Sequence, residues 1–169
     1  MARNVEIKAR IESVDILLPR IKALADSGPF EILQDDTFFS CPNGRLKLRA
    51  LSETEGQLIF YQRPDKAGPK ESFYVIFPTA EPNSLREVLS LAYGQSGRVR
   101  KHRTLFLVDR TRVHLDRVDG LGYFLELEVV LSEKEPTEAG VLVAHELLAK
   151  LDISQDQLIE GAYVDLRRS

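Results

Sequence analysis

The chain has 169 residues, 43% of them hydrophobic and 29% charged, and a formal net charge of −3 at pH 7. This is the balance of an ordinary globule of one domain's size; it argues against a disordered tail, a membrane-embedded chain and a general nucleic-acid binder, which would carry a basic excess. A single cysteine, Cys41 between Ser40 and Pro42, excludes an internal disulfide and reads as a loop thiol. The first residues include Arg3 and Glu6 with no apolar stretch of the signal-peptide kind, and no run approaches the ~20 apolar residues of a membrane span. The expected location is the cytoplasm.

Residues 3–11 open the pattern. Asn4, Glu6, Lys8 and Arg10 alternate with Val5, Ile7 and Ala9, the period-two signature of a strand with two unlike faces. A helix is expected over about 15–27, with Leu17, Ile21, Leu24 and Ala25 on one face and Pro19 tolerable only in its opening turn. Strands follow at 30–40, 44–51, 57–63 and 71–78, punctuated by the turn signals Asn43-Gly44 and Glu55-Gly56. Two prolines and a glycine make Arg63 to Pro69 a loop. A second helix, 84–93, places Leu85, Val88, Leu89 and Ala92 on one stripe and opens on Ser84 and Glu87, a capping box. Further strands are expected at 98–109, 111–117 and 122–132, with a turn at Asp119-Gly120. A third helix, 137–151, carries Val141, Ala144, Leu148 and Leu151.

Hairpin turns make the class α+β with mostly antiparallel pairs. Such strands form either an open sheet with a solvated face or a closed one with the polar face inside. Helices with apolar stripes need an apolar sheet face to cover, which leaves the charges for the concave side.

Those charges recur with the same parity. Arg45, Lys47 and Arg49 alternate with Leu46 and Leu48; Arg112, His114 and Asp116 with Val113 and Leu115; Glu126 and Glu128 with Leu125 and Leu127. Glu6, Asp116, Glu126 and Glu128 offer oxygen ligands of the type that hard divalent cations take. Two-residue strand spacing sets Glu126 and Glu128 about 6.5–7 Å apart on one face. Lys8, Arg10, Lys47, Arg49, Lys101 and Arg103, with Arg63 and Lys70 at the edges of a loop, are the usual partners of phosphate oxygens. Either set alone is ordinarily a solvated face; their conjunction on shared parities is what a polyphosphate with its metal requires. Neither a Walker A sequence nor GxGxxG is present, so phosphates would be held by side chains. His114 reads as filler on the polar face, while Tyr163 either closes the site from the C-terminal side or simply packs.

The segment Asn4-Val5-Glu6-Ile7-Lys8 resembles the ExExK signature of the CYTH superfamily, the triphosphate tunnel metalloenzymes. Gly44 to Arg49, Arg63 to Lys70, Lys101-His102-Arg103, His114-Leu115-Asp116, Gly120 to Glu128 and Gly161 to Leu166 resemble further family motifs in order, nearest to the class IV adenylyl cyclase-like and thiamine triphosphatase-like branch. The resemblance spans essentially residues 1–169 as one domain. It implies a closed eight-stranded antiparallel barrel, a tunnel, with helices packed on the outside. It also implies Mg²⁺ or Mn²⁺ held at Glu6, Asp116, Glu126 and Glu128, and phosphates at Lys8, Arg49, Lys101 and Arg103, with Lys47 and Lys70 added. The departures are Asn4 in place of the first glutamate and Gln62 where the cyclases carry a basic residue.

The expectation is a divalent-metal-dependent enzyme that hydrolyses a phosphoanhydride bond of a triphosphate. The rival outcomes are cyclisation of ATP to cyclic AMP and a polyanion-binding domain without turnover. Glu6, Lys8 and Glu128 are expected to act in catalysis and Asn4, Glu6, Asp116, Glu126 and Glu128 at the metal. Lys8, Arg10, Lys47, Arg49, Arg63, Lys70, Lys101, Arg103 and Tyr163 are expected on the substrate. The expected partner is a small anionic triphosphate, with no nucleic acid, no membrane, and a homodimer left open.

Overall fold

A computed structural model describes residues 2–62, 64, 67–160 and 162–166. The strands are β1 (Ala2–Ile11), β2 (Ser27–Phe39), β3 (Arg45–Ala50), β4 (Gly56–Gln62), β5 (Lys70–Thr79), β6 (Gln95–Val108), β7 (Thr111–Val118), β8 (Gly122–Val130) and a two-residue β9 (Leu158–Ile159). The helices are α1 (Val14–Leu24), α2 (Pro82–Tyr93), α3 (Thr137–Lys150) and α4 (Tyr163–Leu166). The first eight strands follow the order β5-β4-β3-β2-β6-β7-β8-β1, and β1 pairs with β5 to close the ring. Every pairing is antiparallel. The α+β expectation of a closed eight-stranded antiparallel ring with outer helices is met.

Alternation decides which way each strand faces. The odd residues of β1, Val5, Ile7 and Ala9, are almost wholly buried under helices, with Leu115 of β7 and Leu125, Leu127 and Val129 of β8 beside them. Leu17 and Ile21 of α1 and Ala144, Leu147 and Leu148 of α3 complete this outer core. Full burial of each such aliphatic side chain is worth about 1.5–3 kcal/mol, and the set fixes the even residues of β1 and β8 on the inside. One end of the ring is stopped by a second cluster, in which Tyr163 and Val164 of α4 meet Phe38, Tyr61, Val99 and Phe124. A Cβ on Gly97 would lie 2.1 Å from Val164 Cγ2, so only glycine there lets α4 sit so close to β6.

Local chemistry corrects several boundaries. Ser13 caps α1 by accepting from the Asp15 amide, and the helix stops at Leu24 because β2 begins at Ser27. Pro19 sits beyond the opening turn, inside the helix. The Ser84–Glu87 capping box does not form: Pro82 starts α2 two residues earlier, behind an Glu81 N-cap that makes no side-chain cap bond. Proline's fixed φ and missing N–H suit a first helical position. The α2 stripe is also not a packing face of the expected kind, since only Pro82 is buried and Val88 is 60% exposed. No described helix is long and apolar enough to cross a membrane.

Candidate functional site

The inward faces of all eight ring strands, with Ala162 and Tyr163, enclose a cavity of about 260 Å³. Its charged lining comprises Lys8, Lys47, Arg49, Lys101, Arg103 and Arg112 against Glu6, Asp36, Glu126 and Glu128. Burying so many charges costs several kcal/mol per ion before pairing offsets it, and such arrangements concentrate at functional sites.

One wall is built by register. Pairing of β1, β8 and β7 aligns Lys8, Glu126 and His114 in one row, and Glu6, Glu128 and Arg112 in the next. Lys8 Nζ lies 3.5 Å from Glu126 Oε2. His114 Nδ1 lies 3.2 Å from Glu126 Oε1 and 3.5 Å from Glu128 Oε1. Arg112 donates to Glu128 Oε2 at 2.8 Å, and Asn4 Nδ2 donates to the same oxygen at 3.4 Å. Burial works to raise the Glu126 carboxyl, but Lys8, His114 and Arg103 together hold it well below the usual carboxylate range. One ligand atom from each of His114, Glu126 and Glu128 falls within 4.8 Å of the others, an acidic cluster of metal-site type.

Behind that wall, Arg103 donates to both oxygens of Asp116, at 2.8 and 2.9 Å, and reaches Glu126 Oε1 at 3.4 Å. Tyr163 Oη donates to Asp116 Oδ2 at 2.7 Å. Burial, Asp116 and Glu126 push the phenol well above its ordinary value, so it remains a donor. Lys8 Nζ sits 3.7 Å from the centre of the Tyr163 ring, close enough for a cation–π contact. Asp116 is thus spent on orienting Arg103 and Tyr163, and stands apart from the acidic cluster.

The opposite wall centres on Asp36 of β2. Its oxygens accept from Arg49 Nε and Nη2, each at 2.8 Å, while Lys101 and Lys47 lie 3.5 and 3.6 Å away. Burial would raise this carboxyl, yet Arg49, Lys101 and Lys47 hold it well below the usual range. Burial and Arg49 push the Lys47 ammonium down to about 8 despite Asp36. Burial and Arg103 likewise lower Lys101.

Sequence reasoning placed Asn4, Glu6, Lys8, Lys47, Arg49, Lys101, Arg103, Glu126, Glu128 and Tyr163 together, and they share this cavity. Lys70 is buried opposite Glu6 at the seam, bordering a neighbouring cleft with Arg45 and Glu71. Arg10 stands at the exposed end of β1, donating to the Leu121 carbonyl, outside the cavity lining. Arg63 and Gly161 lie outside the described residues. Asp36 and Gln34 were missed, although with Phe38 they keep the parity of the inner face; Arg112 was seen on the polar face without a role.

Three comparisons place this architecture. A protein of Methanocaldococcus jannaschii named "Putative adenylate cyclase MJ0240" is 26% identical over 172 residues, covering 97% of this chain and 98% of its own. The PH1012 protein of Pyrococcus horikoshii shares the fold at a TM-score of 0.85 and 22% identity, covering 96% and 98% of the two chains. The Hippeastrum protein HpAC1, described as having a dominant triphosphatase activity, superposes at a TM-score of 0.62 and 16% identity, covering 97% and 93%. The CYTH domain profile matches residues 2–163. The chain belongs to the CYTH domain family.

Proposed function

We propose that the cavity binds a triphosphate together with a divalent metal ion and hydrolyses a phosphoanhydride bond. The observation that carries this reading is the convergence of six cations and four carboxylates on one cavity inside the ring, more positive than negative, as a polyanion requires.

The donor set suits a hard cation. Oxygen donors from Glu128, Glu126 and Glu6 are of the right class, and Asn4 Oδ1 is buried with no hydrogen-bond partner beside Glu128. These residues, with His114 at the edge, would hold Mg²⁺ or Mn²⁺, which supplies Lewis-acid polarisation of the phosphoryl oxygens. The protein's own groups supply the rest. Lys47, Arg49 and Lys101 take up phosphate charge on one wall, while Lys8 and Arg103 stand on the other, where charge on the transferring group is neutralised without reorganisation. Arg103 is preoriented by Asp116, and Lys8 by Glu126 and the Tyr163 ring. Fixed positions matter because misplacement by 1 Å costs on the order of a hundredfold in rate.

Cyclisation of ATP to cyclic AMP and pyrophosphate is the second reading. It is favoured by the apolar part of the lining, Ile32, Ile59 and Ile76 with Tyr61 and Tyr74, which has room for an organic group beside the phosphates. Incubation with ATP, inorganic triphosphate and thiamine triphosphate in Mg²⁺ or Mn²⁺, followed by product analysis, separates the two. Orthophosphate release supports hydrolysis, and cyclic AMP in stoichiometric yield replaces it with the cyclase reading. Binding without turnover of any of the three leaves a polyanion-binding domain.

A further inference from the structure

Asp36 is the charged group for which the proposed chemistry has no use. It belongs to neither the acidic cluster nor the cations, yet it lines the cavity at 1% exposure. Three cations from two strands converge on it: Arg49 in a two-pronged bond, with Lys47 and Lys101 within 3.6 Å. A bidentate arginine with two flanking ammonium groups is the arrangement that a phosphoryl group's oxygens take. The cluster of Asp36, Lys47, Arg49 and Lys101 carries a net charge of two positive.

We infer that Asp36 is a positioning residue that stands in for phosphate: its carboxylate holds Lys47, Arg49 and Lys101 converged in the ligand-free cavity and yields them when a phosphoryl group enters. The inference rests on the reading that the cavity takes phosphates. Without an internal anion, three cations facing one small space repel each other, and some would turn away or lose their protons. With it, the three side chains stay converged on one point, but an entering phosphate must displace or share them. Asp36 therefore weakens phosphate binding in exchange for order, and recaptures the cations when product leaves. A residue with a purely structural role would, when replaced, loosen the fold and weaken ligands. A stand-in, when replaced, tightens them.

The test is binding of inorganic pyrophosphate to the full chain by titration calorimetry at pH 6.5, for the wild type and Asp36→Asn. Removing a like charge a few ångströms from the bound phosphate tightens binding by about tenfold or more, and product inhibition by pyrophosphate sharpens in parallel. Since Asp36→Asn leaves three cations without their counter-ion, the pair Asp36→Asn/Lys47→Met guards against misfolding by restoring the net charge of two positive. It is expected to bind pyrophosphate more tightly than Lys47→Met alone. Wild-type binding with no gain in either comparison overturns the inference and leaves the phosphate reading standing. No binding to any of the four proteins overturns both.

Discussion

The two halves of the ring are built differently. Around β1, β7 and β8 the outer surface is sealed by α1 and α3, and the residues beneath are buried almost completely. Around β4 and the second half of β5 the outer surface is comparatively bare, with Val75 and Phe77 of β5 55% and 65% exposed. The acidic cluster sits inside the sealed half, whereas Lys47 and Arg49 come from β3 beside the bare half. A divalent ion demands fixed donor positions, and close packing supplies them. Lysine and arginine reach phosphate through long side chains and need less from the backbone. If the proposed metal binds there, the close-packed half of the ring is where its donors are held in place.

The contrast can be broken most directly at Glu128. Replacing it with glutamine removes a charged donor and is expected to lower metal-stimulated turnover by on the order of a hundredfold or more, with the fold kept because the isosteric amide oxygen can still accept from Arg112. Near wild-type activity would remove the acidic cluster from the mechanism. Next comes Arg103→Leu, which strands the fully buried Asp116 carboxylate and should cost about 3–5 kcal/mol in urea denaturation; pairing it with Asp116→Leu should recover much of that. A third measurement sets the halves against each other: Leu127→Ala should cost about 2–5 kcal/mol, and Phe77→Ser within about 0.5 kcal/mol. Equal costs would erase the distinction.

Smaller effects sharpen the picture of the cationic wall. The Lys47 ammonium is lowered to about 8, so it is expected to lose its charge as pH rises through that value, and the proposed phosphate binding would weaken with it. The pH profile of kcat/KM, which reports the free enzyme, should bend downward above about 8, and Lys47→Arg should move that bend to higher pH because arginine stays charged. Last, Asn4→Glu should tighten Mn²⁺ by up to about tenfold through one added negative donor; an unchanged Mn²⁺ titration would show that Asn4 is not a ligand.

Most of the ring was readable because β-strands announce their two faces at a period of two, and a charged parity repeated on several strands has few places to go. Glu6, Lys8, Arg49 and Glu128 were found on that ground. What the pattern hid were interactions between distant segments. Asp35 and Asp36 are adjacent acids on a strand with no charge alternation of its own, and nothing local says that Asp35 meets Arg98 outside while Asp36 meets Arg49 within. Asp116 looked like a metal ligand by parity, but the guanidinium opposite it across β6 and β7 claims both oxygens. Helix starts were misread where proline geometry outweighed a capping sequence, as at Pro82.

The seam between β1 and β5 spans only Ala2 to Glu6 against Tyr74 to Lys70, and the same strand must also find β8. Lys8 and Glu126 therefore come face to face only when the first strand of the ring docks against its last, a long-range event of the slow kind in folding. A chain caught half-zipped owns neither the lysine–glutamate row nor a cavity to hold an anion. Pyrophosphate would then act as a census of finished rings: the fraction of molecules able to capture it counts those in which the zipper has run to its end.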